Sequence, residues 1–121
     1  MARQILIVDD STSIRNSMHQ ILSSEGYDVI IASNGREALS VIRPETKLVI
    51  TDVNMPEMDG ITFVSKVRGG GAPDKTVPII ILTTESQNDL RQKGKEAGAT
   101  AWMVKPFKTE EMTSVIKRIL G

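Results

Sequence analysis

The stretch Ile5-Leu6-Ile7-Val8-Asp9-Asp10 places a run of four apolar residues directly before two aspartates. A short continuous apolar run is typical of a β-strand that is covered on both faces of its sheet. Further apolar runs follow along the chain, and we expect each of them to be a strand as well. They are Val29-Ile30-Ile31, Leu48-Val49-Ile50, Ile79-Ile80-Ile81-Leu82 and Trp102-Met103-Val104.

Helical patterns separate these apolar runs from one another. Gly26 is typical of the end of a first helix, and Asn34 is suited to cap a second helix, which Pro44 stops. Strands that alternate with helices predict an α/β fold, in which a parallel sheet carries helices on both faces. The expected helices lie in the segments 14–22, 34–42, 61–67, 86–97 and 112–120.

Composition limits the possible functions. With 121 residues, 40% of them hydrophobic, the chain fits one domain with one core. Fifteen basic and fifteen acidic residues cancel, which argues against binding to nucleic acid or to an anionic membrane surface. The lack of cysteine excludes disulfides and thiolate chemistry. Because no stretch fits a secretory signal or a membrane span, we expect a cytoplasmic protein.

The glycine-rich segment 69–76 needs a separate interpretation. Gly69-Gly70-Gly71 is expected to break the third helix and to begin a flexible connector. The segment nearly matches a nucleotide-binding P-loop, but Asp74 stands where the second glycine is required. It also leads into a strand rather than a helix, so we do not assign it to phosphate binding.

Polar residues stand where the expected strands end. Because the carboxyl ends of parallel strands meet at one edge of the sheet, these side chains are expected to converge there. Taken singly, each residue has an ordinary explanation as a helix cap, a turn residue or a solvated charge. Together they combine carboxylates, a hydroxyl and an ammonium. The residues are Asp9 and Asp10, Asp52 and Asn54, Thr83 and Glu85, and Lys105.

Electrostatics favours a metal ion at this edge. Two like charges ~4 Å apart repel by about 4 kcal/mol at an effective dielectric constant of ~20, so clustered carboxylates favour a cation. Mg²⁺ prefers such oxygen ligands and bridges to phosphate oxygens. The only histidine, His19, lies in the first helical stretch, which argues against zinc. A carboxylate that attacks phosphorus there would form an acyl phosphate, with Lys105 and Thr83 as partners for the phosphoryl oxygens.

Four motifs carry a family resemblance over nearly the whole chain, from Ile5 to Leu120. The sequence resembles the receiver domains of two-component response regulators and, among them, the short chemotaxis type (CheY-like). The resemblance implies a flavodoxin-like (βα)5 fold with a five-stranded sheet in the order 2-1-3-4-5. It also implies a single receiver domain over residues 1–121, without an output domain. The motifs are Ile7-Val8-Asp9-Asp10, the segment 51–60 (TDVNMPEMDG), Leu82-Thr83-Thr84-Glu85 and Val104-Lys105-Pro106-Phe107.

The resemblance also implies a role for each residue at the strand ends. Asp52 would be the phosphoacceptor, and Lys105 and Thr83 would bind the phosphoryl oxygens. Asp9, Asp10 and Asp52 would hold Mg²⁺ together with the backbone carbonyl of Asn54. Asn54 and Glu85 would tune the lifetime of the phosphorylated form. The Lys105–Pro106 peptide bond is typically cis in this family.

The implied function is that of a phosphorylation-activated signalling switch. A histidine kinase or a small-molecule phosphodonor would phosphorylate Asp52, and the fourth helix, fifth strand and fifth helix would then bind a protein target such as a flagellar motor switch. The chain would only phosphorylate and dephosphorylate itself, and we expect a monomer. Trp102 stands where the family usually has a rotating Tyr or Phe. It is interpreted either as a switch residue that responds to Thr83 or as a fixed lid over the last helix.

Other interpretations stay open at this point. The chain could be a receiver of another sensory or pilus pathway, or a module from a larger regulator, although Gly121 closes the last helix without a linker. A small aspartyl-phosphate phosphatase would need a substrate pocket, for which no insertion is obvious. A flavin or nucleotide carrier would need a phosphate-binding loop after the first strand, where Asp9 and Asp10 would repel the ligand.

Overall fold

Five parallel strands form the central sheet of the computed structural model, which describes residues 3–85 and 87–121. Their spatial order is β2-β1-β3-β4-β5, which confirms the order expected from the resemblance. Because neighbouring strands are all parallel, their carboxyl ends lie at one edge of the sheet. The strands are β1 (Gln4–Val8), β2 (Asp28–Ala32), β3 (Thr46–Thr51), β4 (Ile79–Thr83) and β5 (Ala101–Val104).

A helix follows each strand, as the alternating pattern predicts. Ser11, Asn34 and Asp59 begin the first three helices, and each of their side chains accepts a hydrogen bond from a backbone N–H three residues on. The expected cap at Asn34 is therefore confirmed. The helices are α1 (Thr12–Ser24), α2 (Gly35–Val41), α3 (Gly60–Lys66), α4 (Asn88–Ala97) and α5 (Thr109–Leu120).

The two faces of the sheet carry separate apolar layers. In β1, Leu6 and Val8 pack with α2, α3 and α4, whereas Ile5 and Ile7 pack with α1 and α5. All four side chains are at most 1% exposed. A strand covered on both faces needs apolar residues at every position, which explains the continuous apolar runs of the sequence.

The helix break expected at residues 69–71 is confirmed, because Gly70 has a φ of 99°, which is not helical. The turn Val67–Gly71 follows α3 directly, and Gly70 kinks it with a positive φ that glycine tolerates. The Arg68 guanidinium on this turn donates to the carbonyl oxygens of Lys75, Val77 and Gly98 at 2.7–3.0 Å. These contacts with later parts of the chain hold the segment in place. Burial lowers the pKa of Arg68, and the charge of Asp74 opposes that shift.

Two further expectations concern α4 and the membrane. The expected start of the fourth helix, Ser86, lies outside the described residues, and α4 runs from Asn88 to Ala97. Its buried contact is narrow, since Gly94 is its one buried residue. Within the described ranges, no helix has the length and apolar content needed to cross a membrane.

The two ends of the described chain lie beside each other at the amino edge of the sheet. The guanidinium of Arg3, directly before β1, donates to the carbonyl oxygens of Leu120 and Gly121 at 2.6 and 3.1 Å. The acidic residues described next lie at the opposite, carboxyl edge.

Candidate functional site

Three aspartates meet at the carboxyl edge of the sheet, as the strand ends predict. Val8 and Thr51 pair in the parallel ladder, and the Asp52 N–H donates to the carbonyl oxygen of Val8 at 2.9 Å. The residues that follow these two strands are therefore neighbours. One carboxylate oxygen from each of Asp9, Asp10 and Asp52 lies within 4.8 Å of the others. We call these three residues the acidic cluster.

Lys105 completes the cluster from the far side of the sheet. Its Nζ donates to Asp9 Oδ2 at 2.7 Å and to Asp52 Oδ2 at 3.0 Å. Its side chain and that of Asp52 are each 12% exposed. Burial lowers the pKa of Lys105, but the hydrogen bonds and charges of Asp9 and Asp52 outweigh it, so the pKa is raised above its usual value. The ammonium thus stays charged at neutral pH.

The second carboxylate oxygens of Asp9 and Asp52 accept hydrogen bonds from the backbone. Asp9 Oδ1 accepts from the Ser11 N–H at 2.9 Å, and Asp52 Oδ1 accepts from the Val53 N–H at 2.6 Å. Asp52 thus acts as a turn residue through Oδ1, which binds the backbone, while its Oδ2 accepts from the Lys105 ammonium. The cap interpretation of Asp9 and Asp10 is wrong, because Ser11 caps α1.

The charges of the cluster fit a hard divalent cation. Three carboxylates and one ammonium leave an excess of two negative charges when all are ionised. At 4.8 Å, each like pair repels by about 3–4 kcal/mol at an effective dielectric constant of ~20. The donors are all carboxylate oxygens, the ligands that Mg²⁺ prefers. His19 lies on α1, where its Nδ1 is 3.4 Å from the Ser23 hydroxyl, and it does not belong to the cluster.

The four remaining expected site residues meet beside the acidic cluster, where Asn54, Thr83 and Trp102 each contact Glu85. The Glu85 N–H donates to the buried Thr83 hydroxyl oxygen at 3.3 Å. The Asn54 amide donates to Glu85 Oε1 at 3.0 Å, and the Trp102 indole N–H donates to the Glu85 carbonyl oxygen at 3.1 Å. We call these four residues the Glu85 junction. It links the loops after β3 and β4 to strand β5.

Trp102 lies against α4. Its indole packs on the sheet face that carries α2, α3 and α4, whereas α5 packs on the other face. Trp102 therefore does not cover the last helix, α5, and the interpretation as a lid over that helix is wrong. The side chain points toward α4 because residues alternate between faces along β5, and Met103 takes the α5 side.

Two residues at the site were missed by the sequence analysis. Gly60 begins α3 so close to β3 that a Cβ there would lie 2.0 Å from the Asp52 carbonyl oxygen. Arg15 on α1 donates from its guanidinium to the carbonyl oxygen of Asp9 at 2.7 Å. Gly60 lies in the motif segment 51–60 but was assigned no role, and the sequence carries no signal for the contact of Arg15.

The loop between β3 and α3 contains one strained residue. The Met58 N–H donates to the carbonyl oxygen of Pro56 at 2.7 Å, so the turn closes over Glu57 alone. Glu57 has a φ of 66°, the one positive φ of a residue other than glycine in the described ranges. A three-residue turn with positive φ at its centre is the strained form of the γ-turn. The Lys105–Pro106 peptide bond is cis.

The sequence of the chain matches a known protein family over most of its length. The model of the response regulator receiver domain matches residues 5–117. The chain belongs to this family. Receiver domains are the phosphoacceptor switches of two-component systems, take their phosphoryl group from histidine kinases and bind Mg²⁺ in an acidic pocket.

Two solved receiver domains are similar over nearly their whole length. The chain is 42% identical to chemotaxis protein CheY4 of Vibrio cholerae, covering 99% of this chain and 100% of that one with a TM-score of 0.91. It is 27% identical to the receiver domain of sensor histidine kinase PA1611 from Pseudomonas aeruginosa, covering 98% of both chains with a TM-score of 0.87. That structure has a magnesium ion in its active-site cleft.

Several relatives are longer proteins. The chain is 41% identical over 118 residues to the "probable transcriptional regulator ycf27" of Porphyridium aerugineum, covering 97% of this chain and 48% of that protein. The chain thus spans about half the length of the first curated relatives it matches. Receiver domains of this sequence type therefore occur in more than one kind of regulator.

Proposed function

We propose that this receiver domain accepts a phosphoryl group on Asp52 and thereby switches its affinity for a target protein. The observation that carries the proposal is the position of Lys105, whose ammonium reaches Asp52 Oδ2 at 3.0 Å inside the acidic cluster. Among the three aspartates of the acidic cluster, Asp52 is the one whose side chain is partly exposed and also contacts the Lys105 ammonium directly. Asp9 is more deeply buried, at 4% side-chain exposure.

The transfer step follows from this arrangement. A carboxylate oxygen of Asp52 forms a bond to phosphorus, and the bond from phosphorus to the donor breaks, with its electron pair leaving on the donor. The donor atom is an imidazole nitrogen of a histidine kinase or an oxygen of a small acyl phosphate. Lys105 supplies positive charge to the phosphoryl oxygens, and Thr83 supplies a hydroxyl donor once the phosphoryl group is present.

Asp9, Asp10, Asp52 and the backbone carbonyl of Asn54 would hold Mg²⁺ in this proposal. When bound, the ion offsets the negative charge of the carboxylates and of the incoming phosphoryl group. The carboxylate geometry and the magnesium ion in the similar PA1611 receiver domain support this assignment. Arg15 fixes the backbone of Asp9 and so helps to orient one of the ligands.

The output is proposed to use the face formed by α4, β5 and α5. A groove of about 460 Å³ between α4 and β5 is lined in part by Trp102. Through the Glu85 junction, Trp102 and the groove are connected to Asn54, two residues beyond Asp52. A phosphoryl group on Asp52 that draws Thr83 toward it would move Glu85, because the Glu85 N–H binds the Thr83 hydroxyl.

Asn54 and Glu85 are proposed to set the lifetime of the phosphorylated form. Their side chains bind each other at 3.0 Å next to Asp52, so both would control the approach of water to the acyl phosphate. An Asn54→Ala variant that releases phosphate at the unchanged rate would contradict this role.

A chemotaxis-type pathway is the proposed context, with a monomeric receiver domain of residues 1–121 that acts on a protein target such as a flagellar motor switch. The near-complete mutual coverage with CheY4 of Vibrio cholerae supports it. A receiver that regulates transcription within a longer chain is the competing context, because ycf27 is twice as long and similar in sequence.

The experiment that tests the phosphoacceptor uses Asp52→Asn with Asp74→Asn as a matched control. Asp74 is an exposed aspartate in the loop before β4, where its carboxylate binds Thr76. Labelling by acetyl phosphate, measured as intact mass with Mg²⁺ present, should be lost in Asp52→Asn and retained in Asp74→Asn. Labelling of Asp52→Asn at the wild-type level would refute the assignment.

A further inference from the structure

Gly94 stands in the interior of α4, where glycine is unfavourable. A glycine inside a helix destabilises it by roughly 0.5–1 kcal/mol relative to alanine. Gly94 does not take a positive φ, so no backbone conformation requires it. The reason is steric, because a Cβ at this position would lie 2.9 Å from Cζ3 and 3.1 Å from Cε3 of the Trp102 indole. The same Cβ would also lie 3.1 Å from Cδ1 of Ile81.

The indole of Trp102 is therefore fixed at two ends. Its six-membered ring lies in the notch that Gly94 leaves in α4, and its N–H binds the Glu85 carbonyl oxygen at 3.1 Å. An indole N–H that is partly buried favours such an acceptor. Both contacts require the same orientation of the ring, pointing inward between α4 and the sheet.

We propose that Gly94 is a positioning residue that sets the inward orientation of Trp102. The missing side chain at position 94 creates the seat for the indole, and the seated indole in turn holds the Glu85 carbonyl. An alanine at position 94 narrows the seat, because its Cβ would come closer to the indole and to Ile81 than the 3.4 Å at which ordinary contact begins. The indole then leaves the seat and releases Glu85.

The open groove between α4 and β5 lies beside this seat. Trp102 forms one wall of the groove, and α4 contributes a row of polar side chains spaced three and four residues apart. An indole that leaves its seat has this solvent-filled space of about 460 Å³ beside it. Gly94 therefore keeps the groove accessible, and this step rests on the proposed function of the face. The row consists of Asn88, Arg91, Gln92 and Lys95.

The test uses the fact that Trp102 is the only tryptophan of the chain. Gly94→Ala should shift the fluorescence emission to longer wavelength and increase quenching by acrylamide, because the indole moves into water. The matched control is Gly69→Ala, since a Cβ at Gly69 meets nothing within 4 Å and its φ is not positive. This control should leave emission and quenching unchanged.

A double-mutant cycle with Trp102→Phe separates the seat from general helix stability. Phenylalanine lacks the outer ring atoms that the new methyl group meets, so Gly94→Ala should lower the urea midpoint in the wild-type background and leave it equal or raise it in the Trp102→Phe background. If Gly94→Ala fails to fold, the double variant should still fold.

Two outcomes would overturn the proposal: unchanged emission and quenching in Gly94→Ala, or the same stability change in both backgrounds. These measurements need no phosphodonor. Their failure is therefore distinct from a failure of Asp52 labelling, which tests the proposed function itself.

Discussion

Gly60→Ala should displace the backbone of Asp52 and strongly destabilise the protein. The new Cβ would lie 2.0 Å from the carbonyl oxygen of Asp52 and 3.0 Å from Cα of Val53, whereas ordinary contact begins at 3.4 Å. The two backbones must therefore separate by about 1.4 Å to reach ordinary contact. Both sides of the contact are main chain, so no side-chain rotation can relieve it.

The magnitude follows from the interactions that this separation disrupts. Overpacking of this kind costs about 1–3 kcal/mol, and the hydrogen bond from the Gly60 N–H to the carbonyl oxygen of Val53, 2.8 Å long, would be stretched. Loss of a buried hydrogen bond adds about 1–3 kcal/mol. The usual gain of about 0.5–1 kcal/mol for alanine over glycine in a helix offsets only part of this. We expect a net loss of about 2–4 kcal/mol in the free energy of unfolding.

The assay combines urea unfolding, followed by circular dichroism, with the initial rate of labelling by acetyl phosphate. A displacement of about 1 Å at a reacting group can reduce the rate by about 100-fold, so labelling should fall further than the folded fraction does. Gly69→Ala serves as the control, because its Cβ enters open space. A Gly60→Ala protein as stable and as readily labelled as the wild type would show that α3 does not constrain Asp52.

Two further predictions concern the metal and the strained loop. Millimolar Mg²⁺ should raise the melting temperature, since a ligand at 100 times its dissociation constant stabilises the folded state by about 2.7 kcal/mol. Asp10→Asn should reduce this rise in melting temperature. A wild-type protein whose melting temperature does not change with Mg²⁺ would exclude the metal site. Glu57→Gly should stabilise the protein by about 1 kcal/mol. Glycine adopts the left-handed conformation without the steric cost that glutamate has, and this gain exceeds the entropy that glycine adds to the unfolded chain. An equal or lower urea midpoint would show that the turn at Glu57, with its φ of 66°, is not under strain.

The sheet and the acidic cluster were predictable from sequence because both depend on local patterns. Continuous apolar runs such as Ile5–Val8 follow from burial on both faces, and a polar residue after each run necessarily reaches the same edge of a parallel sheet. The strand order came from the family resemblance. Periodicity alone gives no information on which strands are neighbours.

The features that sequence reasoning missed depend on contacts between distant parts of the chain. The glycines at 69–71 break the helix as expected, but the local sequence does not indicate that Arg68 binds carbonyl groups seven to thirty residues further on and holds the turn. Gly60 and Gly94 are required by close approaches to Asp52 and Trp102, and neither approach leaves a pattern in the local sequence. The direction of Trp102 was equally hidden, since it follows from the exact ends of strand β5.

The contact of Arg3 with the last two carbonyl groups has a consequence for how this domain combines with other protein segments. It fixes both ends of the described chain on the side of the sheet that faces away from Asp52. A polypeptide that continues from Gly121 starts at this edge of the sheet, opposite to the edge at which Asp52 lies. A module joined at Gly121 therefore begins its path away from the acidic cluster.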